Sequence, residues 1–152
     1  MLRFSKKADY ALIAMKHLAQ NTGGPPSICA REIAEQYDIP IELMAKVLQR
    51  LVRRGLLASH QGTRGGYKLA RKPTEMSVAD VIQAIDGPVT VTACSTDDDG
   101  QCEQFARCNV RDPLWKVRQR ILTALGECTI ADLAADVPPL APAKPAVFHV
   151  ST

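Results

Sequence analysis

Residues 40–72, PIELMAKVLQRLVRRGLLASHQGTRGGYKLARK, change texture halfway along. In the first half Ile41, Met44, Leu48 and Leu51 recur at spacings of three and four, the apolar stripe of an amphipathic helix over 40–54. Pro40 suits a position near its start, and Gly55 suits its C-cap. The remaining faces carry Lys46, Gln49, Arg50, Arg53 and Arg54. In the second half LLASH (56–60) and YKLAR (67–71) read as short strands joined by QGTRGG (61–66). Glycines at 62, 65 and 66 are expected to supply the positive φ values of a tight hairpin. Against Glu42 alone, eight Lys and Arg give this stretch a net charge of +7. Such a block marks a polyanion-binding surface, although a solvated basic face accounts for the charge alone equally well.

Working toward the N-terminus, residues 5–20 predict a helix capped by Ser5. Its stripe is Ala8, Ala11, Leu12, Met15, Leu18 and Ala19. NTGGPPS (21–27) breaks the chain. Residues 28–37 then predict a short helix with Ile28, Ile33, Ala34 and Tyr37 on one face, closed by Asp38-Ile39-Pro40. Two helices, a third basic helix and a Gly-rich basic hairpin, in that order, predict a mainly α fold with a small β-hairpin wing: a winged helix-turn-helix. In that architecture the third helix enters the major groove and the wing touches the backbone or minor groove. Lys46 and Arg50 lie four apart and point at DNA together, while Arg64 sits at the wing tip. The candidate DNA-contacting set is Ser5, Lys6, Lys46, Arg50, His60, Thr63 and Arg64. Arg53 and Arg54, at the helix end, complement its dipole.

The second half of the chain is acidic, with a net charge of −6 over 73–109. SVADVIQAIDG (77–87) predicts a helix with a Ser cap, the stripe Val78, Val81, Ile82 and Ile85, and a terminal glycine. Asp112 at the N-cap and Pro113 at the first position predict a further helix ending at Gly126. Leu114, Val117, Ile121 and Leu125 form its a/d seam, which suits packing on its own domain or on the same helix of a second chain. TIADLA (129–134) predicts a short helix, and VPPLAPAKPAVFHVST a flexible Pro/Ala-rich tail. The expected organisation is a DNA-binding domain over 1–72, a connecting helix and linker over 73–92, a cysteine loop over 93–110, a dimerisation helix with a short helix over 111–135, and a tail over 136–152.

The loop CSTDDDGQCEQFARC (94–108) brings Cys94, Cys102 and Cys108 together. Their spacing is neither that of a zinc ribbon nor the tight run of a bacterial ferredoxin. By spacing alone they suit an iron–sulfur cluster, a zinc ion, a thiol redox sensor or no chemistry. Cys29 and Cys128 lie in helical patterns and read as small core residues. The run Asp97-Asp98-Asp99 lacks the alternation and terminal Glu of a calcium loop and reads as a solvated turn. The three histidines, His17, His60 and His149, stand apart from the thiols in sequence.

The N-terminal residues show no signal-peptide pattern, and no apolar run of about 18 residues occurs. The expectation is a cytoplasmic protein with reduced thiols. Without a nucleotide-binding fingerprint, a redox enzyme or electron carrier would leave the basic helix and hairpin unexplained. The expectation is therefore no enzyme.

LRFSKKADYALIAMKHLA, AREIAEQYDIPIELMAKVLQRLVRRGLLASHQGTRGGYKLAR, SVADVIQAIDG and the three-cysteine loop before a Trp-containing helix together resemble one bacterial family. It comprises the iron–sulfur winged-helix repressors and activators of the IscR, NsrR, RirA and SUF-operon type. The resemblance runs from residue 1 to about residue 135. It implies a homodimer joined through the long helix, with an iron–sulfur cluster (2Fe–2S or 4Fe–4S) in each subunit modulating binding to promoter DNA. The signal would be iron, iron–sulfur status, redox state or nitric oxide. Cys94, Cys102 and Cys108 fall on the three cluster ligands. The histidine that IscR uses as fourth ligand is replaced by Asp112, whereas Asp9 matches the carboxylate that NsrR-like members lend from the partner subunit. Two DNA-reading positions of IscR are replaced by Ala45 and Gln61, so its operator is not carried over. The alternative on the same scaffold is a cluster-free switch using a Cys94–Cys102 or Cys102–Cys108 disulfide.

Overall fold

The computed structural model describes residues 3–91 and 102–135. Along them run α1 (Lys6–Gln20), α2 (Ala30–Gln36), α3 (Ile41–Arg53), β1 (Leu57–His60), β2 (Gly66–Leu69), α4 (Val78–Asp86), α5 (Arg111–Glu127) and α6 (Ile130–Ala134). Single 3₁₀ turns occupy Pro73–Glu75 and Phe105–Arg107. Cys94, the aspartate run and the Pro/Ala-rich tail lie outside the described residues.

Ser5 caps α1 as expected, its hydroxyl accepting the Ala8 N–H at 3.1 Å. The buried stripe is wider than the expected one, because Ala14 and His17 join it. Its alanines let α1 lie close against α3, α4 and α6 at once. His17 is 94% buried, being 6% exposed. Its Nδ1 meets the Tyr37 hydroxyl at 3.0 Å, and the two rings stand edge to face.

Between α2 and α3 the chain reverses through Asp38, which adopts φ 51°. A short polar side chain tolerates this left-handed conformation, whereas a β-branched one clashes with the following carbonyl. Asp38→Val is expected to lower stability by about 1–2 kcal/mol, read from the urea midpoint. Ile28 does not share the α2 face. It precedes the helix and pairs with Tyr67, giving the wing a third rail through Ile28 N–H to Tyr67 C=O (3.0 Å) and Tyr67 N–H to Ile28 C=O (2.8 Å).

That pairing corrects the reading of the wing glycines. The hairpin register is Leu57↔Leu69, Ala58↔Lys68, Ser59↔Tyr67 and His60↔Gly66. Of the three glycines only Gly62, at φ 132°, has the positive φ expected of all of them. Gly66 is needed for space, since a Cβ there would stand 2.5 Å from the Ile28 carbonyl oxygen. Pro40 is the N-cap of α3 rather than a residue inside it, and Arg54 is the C-cap, with Gly55 at φ 73° one place beyond.

The start of α5 also differs. Val110 is the N-cap and the helix begins at Arg111, so Asp112 is not the cap and Pro113 is the third helical residue. Proline is tolerated there because the first intrahelical donor is the Leu114 N–H, bonded to Val110 C=O at 2.9 Å. The helix runs one residue past Gly126.

Helices α4 and α6 begin side by side with the same device. Ser77 and Asp80 form one capping box, Thr129 and Asp132 the other. The two starts are joined by Val78 N–H to Cys128 C=O and Ile130 N–H to Met76 C=O, each 2.8 Å. The Thr129 N–H and then its hydroxyl hold the Asp132 carboxyl below the usual carboxylate range.

Met15, Ile33, Met44, Leu48 and Leu51 lie in the main core cluster with Met76, Val81 and Ile130. The core therefore crosses residue 72, and α4 and α6 are part of what α1 and α3 pack on. A second cluster gathers Val78, Ile82 and Val89 under Leu122 and Leu125. Cys128 joins its edge, half-buried, but Cys29 is exposed at the N-cap of α2, so its reading as a core residue is wrong. At the cap the backbone is extended (φ −81°, ψ 156°), which takes the Cys29 side chain off the face that Ile33 and Ala34 turn into the core.

Candidate nucleic-acid interface and cysteine loop

Met44, Val47, Leu48 and Leu51 turn one side of α3 into the core, so 3.6-residue periodicity drives Lys46, Gln49, Arg50 and Arg53 outward. With Lys7 from α1 these side chains line an open cleft of about 390 Å³ that contains four cations and no acid. The ion pairs among the described residues are Lys6–Asp9 at 3.8 Å and Arg111–Asp112 at 3.0 Å. Among those residues no carboxylate neutralises the cleft, and desolvated phosphate oxygens are the partner such a surface fits.

Of the expected DNA-contacting residues, Lys46 and Arg50 stand together in this cleft. Arg50 is also engaged internally, its Nε donating to the Ala84 carbonyl at 3.0 Å. Lys6 points away, toward Asp9 and the Tyr10 ring, and Lys7 takes the place in the cleft. Helix α1 emerges from the core with two adjacent lysines, and only the packing of α1 against α3 selects between them. Ser5 is half-buried and bonded to the exposed Asp86 through both its N–H (2.9 Å) and its hydroxyl. His60, Thr63 and Arg64 are exposed along the wing. The wing tip is held by Ser27, whose hydroxyl donates to the Arg64 carbonyl at 2.9 Å. Arg53 and Lys7 are the members of the cleft that the sequence alone did not assign to DNA.

Cys102 and Cys108 are half-buried on either side of the 3₁₀ turn Phe105–Arg107, which the Arg107 N–H closes on Gln104 C=O at 2.9 Å, while the Phe105 N–H bonds Cys102 C=O at 3.0 Å in the turn before it. Arg111, in the first turn of α5, lies over the Phe105 ring at 4.9 Å. Soft thiolates are the donors that iron–sulfur chemistry requires, so the two described thiols suit that group. Among the described residues no three metal-ligating side chains gather in one place. Asp9 is exposed on the first turn of α1 and does not join the two thiols within the chain.

The α5 seam divides. Leu125 turns inward with Leu122 onto α4, and Arg118 Nε donates to Val89 C=O at 3.1 Å. Leu114 and Ile121 are half-buried and Val117 is 43% exposed. With Val110 and Trp115, each 50% exposed, they leave an apolar outer face. Two stripes of three-and-four spacing overlap on this helix, and only its contact with α4 tells them apart. Among the described residues no helix is long and apolar enough to cross a membrane.

Comparison with known proteins agrees with this architecture. The Rrf2 family profile, described as an iron-dependent transcriptional regulator, matches residues 4–136. A helix-turn-helix transcriptional regulator of Mycobacterium tuberculosis is 34% identical over 141 residues, covering 91% of this chain and 84% of that protein. The regulator IscR of Cronobacter sakazakii is 31% identical over 133 residues, covering 87% and 80%. Among solved structures, CymR, the global cysteine regulator of Bacillus subtilis, superposes with a TM-score of 0.70 at 28% identity, covering 88% of this chain and 97% of that one. Its relatives are transcriptional regulators rather than enzymes. With a basic third helix and wing on the shared scaffold, this chain belongs to the Rrf2 family and is a DNA-binding transcriptional regulator.

Proposed function

We propose that the protein is a cytoplasmic homodimeric regulator whose binding to promoter DNA is modulated by an iron–sulfur cluster. The cluster would be held by Cys94, Cys102 and Cys108, with Asp9 of the partner subunit as fourth ligand. One observation carries this reading: the turn bounded by Cys102 and Cys108 leads directly into α5, whose outer face is apolar and exposed. Bound there, the cluster would supply a reversible redox and ligand-exchange centre. The chain's own residues do the rest. Arg111, stacked on Phe105, ties the turn to the start of α5. Val110, Leu114, Val117 and Ile121 offer the surface on which a second copy packs, and Lys46 with the other cleft cations meets the phosphates.

Anaerobic purification followed by an absorption spectrum and iron and sulfide assays tests the cluster. Wild type is expected to be coloured, with iron and acid-labile sulfide in near-equal amounts. Cys102→Ser is expected to reduce both to background while leaving the far-ultraviolet circular dichroism unchanged. A colourless wild type without iron under strict anaerobiosis would instead favour the cluster-free disulfide switch, which thiol counting before and after peroxide would then detect.

A further inference from the structure

The last turn of α4 holds both elements that carry the basic cleft. Ala84 contributes one of the C-terminal carbonyls that an α-helix leaves without an intrahelical partner, and Arg50 Nε of α3 satisfies it at 3.0 Å. Two residues on, Asp86 accepts the N–H and the hydroxyl of Ser5, the cap of α1. A carboxylate at the C-terminus of its own helix faces the negative end of the dipole and is disfavoured there. Against the N-terminus of α1 the same charge is favoured. Its two hydrogen bonds to Ser5 make Asp86 a tie between α4 and α1.

Both ties reach the DNA-facing side. Ser5 is two residues ahead of Lys7, and Arg50 stands beside Lys46 and Arg53 on the cleft wall. One side of the cleft is thus fixed to α4 through Asp86 and the other through Ala84. A guanidinium has five donors in a rigid plane, so Arg50 can hold the carbonyl by Nε and still present other N–H groups to the cleft. A lysine has a single nitrogen and cannot reproduce that division.

We propose that Asp86 and Arg50 are positioning residues for DNA binding, holding α1 and α3 in one frame so that their cations act as one surface. The proposal rests on the reading of the cleft as the DNA interface. Its signature is one of sign. Asp86→Ala removes a negative charge near the cleft, which by Coulomb attraction alone tightens DNA binding. Positioning demands the opposite.

The test uses the full-length protein and a fluorescein-labelled duplex selected on wild type from a random pool, with anisotropy titrations across a series of salt concentrations. Dissociation constants are taken on the active fraction, so that misfolded material does not enter. Asp86→Ala removes both hydrogen bonds to Ser5 and is expected to weaken binding about tenfold. The slope of log affinity against log salt should stay at its wild-type value, because no phosphate contact is removed. Asp86→Asn keeps an acceptor for Ser5 and should recover part of the loss. Arg50→Lys preserves charge and should weaken binding with the slope unchanged, which keeps the test open even if Asp86→Ala does not fold. Binding as tight as wild type in Asp86→Ala or in Arg50→Lys overturns the proposal. Lys46→Ala separates it from the underlying reading. A lower affinity with a shallower slope in Lys46→Ala confirms the interface whatever Asp86 does, and no change in either removes the interface and the proposal with it.

Discussion

Raising salt from about 50 to about 200 mM is expected to weaken binding to the selected duplex by about 10⁴-fold. The cleft presents Lys7, Lys46, Arg50 and Arg53, and the wing adds Arg64. If about four of these reach phosphates in each subunit, the proposed dimer neutralises about eight, and counterion release gives a log–log slope of about −7. The absence of a carboxylate partner among the described residues matters here, because a cation already paired releases fewer counterions on binding. Lys46→Ala, present twice in a dimer, should make the slope less steep by about 2 units. A wild-type slope no steeper than about −3 would show that the cleft is not the phosphate-binding surface.

Leu48→Ala is expected to destabilise the protein by about 2–5 kcal/mol, near the upper part of that range. Leu48 has no exposed surface, and it lies on α3 in the cluster that also holds Met15, Ile33 and Val81. Helices approach it from several sides, so the cavity has little room to collapse, and residual cavity volume is what raises the cost. Against a total stability of about 5–15 kcal/mol the loss is a large fraction. Urea unfolding at fixed protein concentration measures it, since coupling to dimerisation would make the midpoint concentration-dependent. A change below about 1 kcal/mol would mean that α3 is not anchored by this side chain.

The two expected outcomes separate the faces of one helix, with Leu48→Ala read in stability and Lys46→Ala in affinity. The two faces are legible in the sequence, because the 3.6-residue period sorts α3 into an apolar side and a basic side. The wing was legible for a similar reason, its glycines marking a tight turn, though the cause assigned to Gly66 was local. Nothing near residue 66 reveals that Ile28 pairs with Tyr67, and it is that distant strand which leaves no room for a Cβ.

Elsewhere the limits follow the reach of each interaction. Ser5 as a cap is a contact between neighbours, so residue type and position declare it. Asp86 as its second partner lies 81 residues away and lacks any local pattern. At α5 periodicity puts Leu125 on one seam with Leu114, Val117 and Ile121 and leaves open whether that seam meets its own domain or a second chain. Packing against Val78, Ile82 and Val89 turns Leu125 inward and leaves Trp115 and Val117 outside. Cys29 was misplaced because an apolar window does not distinguish a helix cap from a helix face.

Spacing and residue type over a few turns carry the order of helices, the basic face of α3, the hairpin and the set of cysteines. Packing selects Lys7 rather than Lys6 for the cleft, divides Arg50 between α4 and solvent, and leaves one side of α5 uncovered. Those choices depend on contacts between residues far apart in the chain, where the angle at which two helices cross, rather than the period of either, selects the side chains that meet.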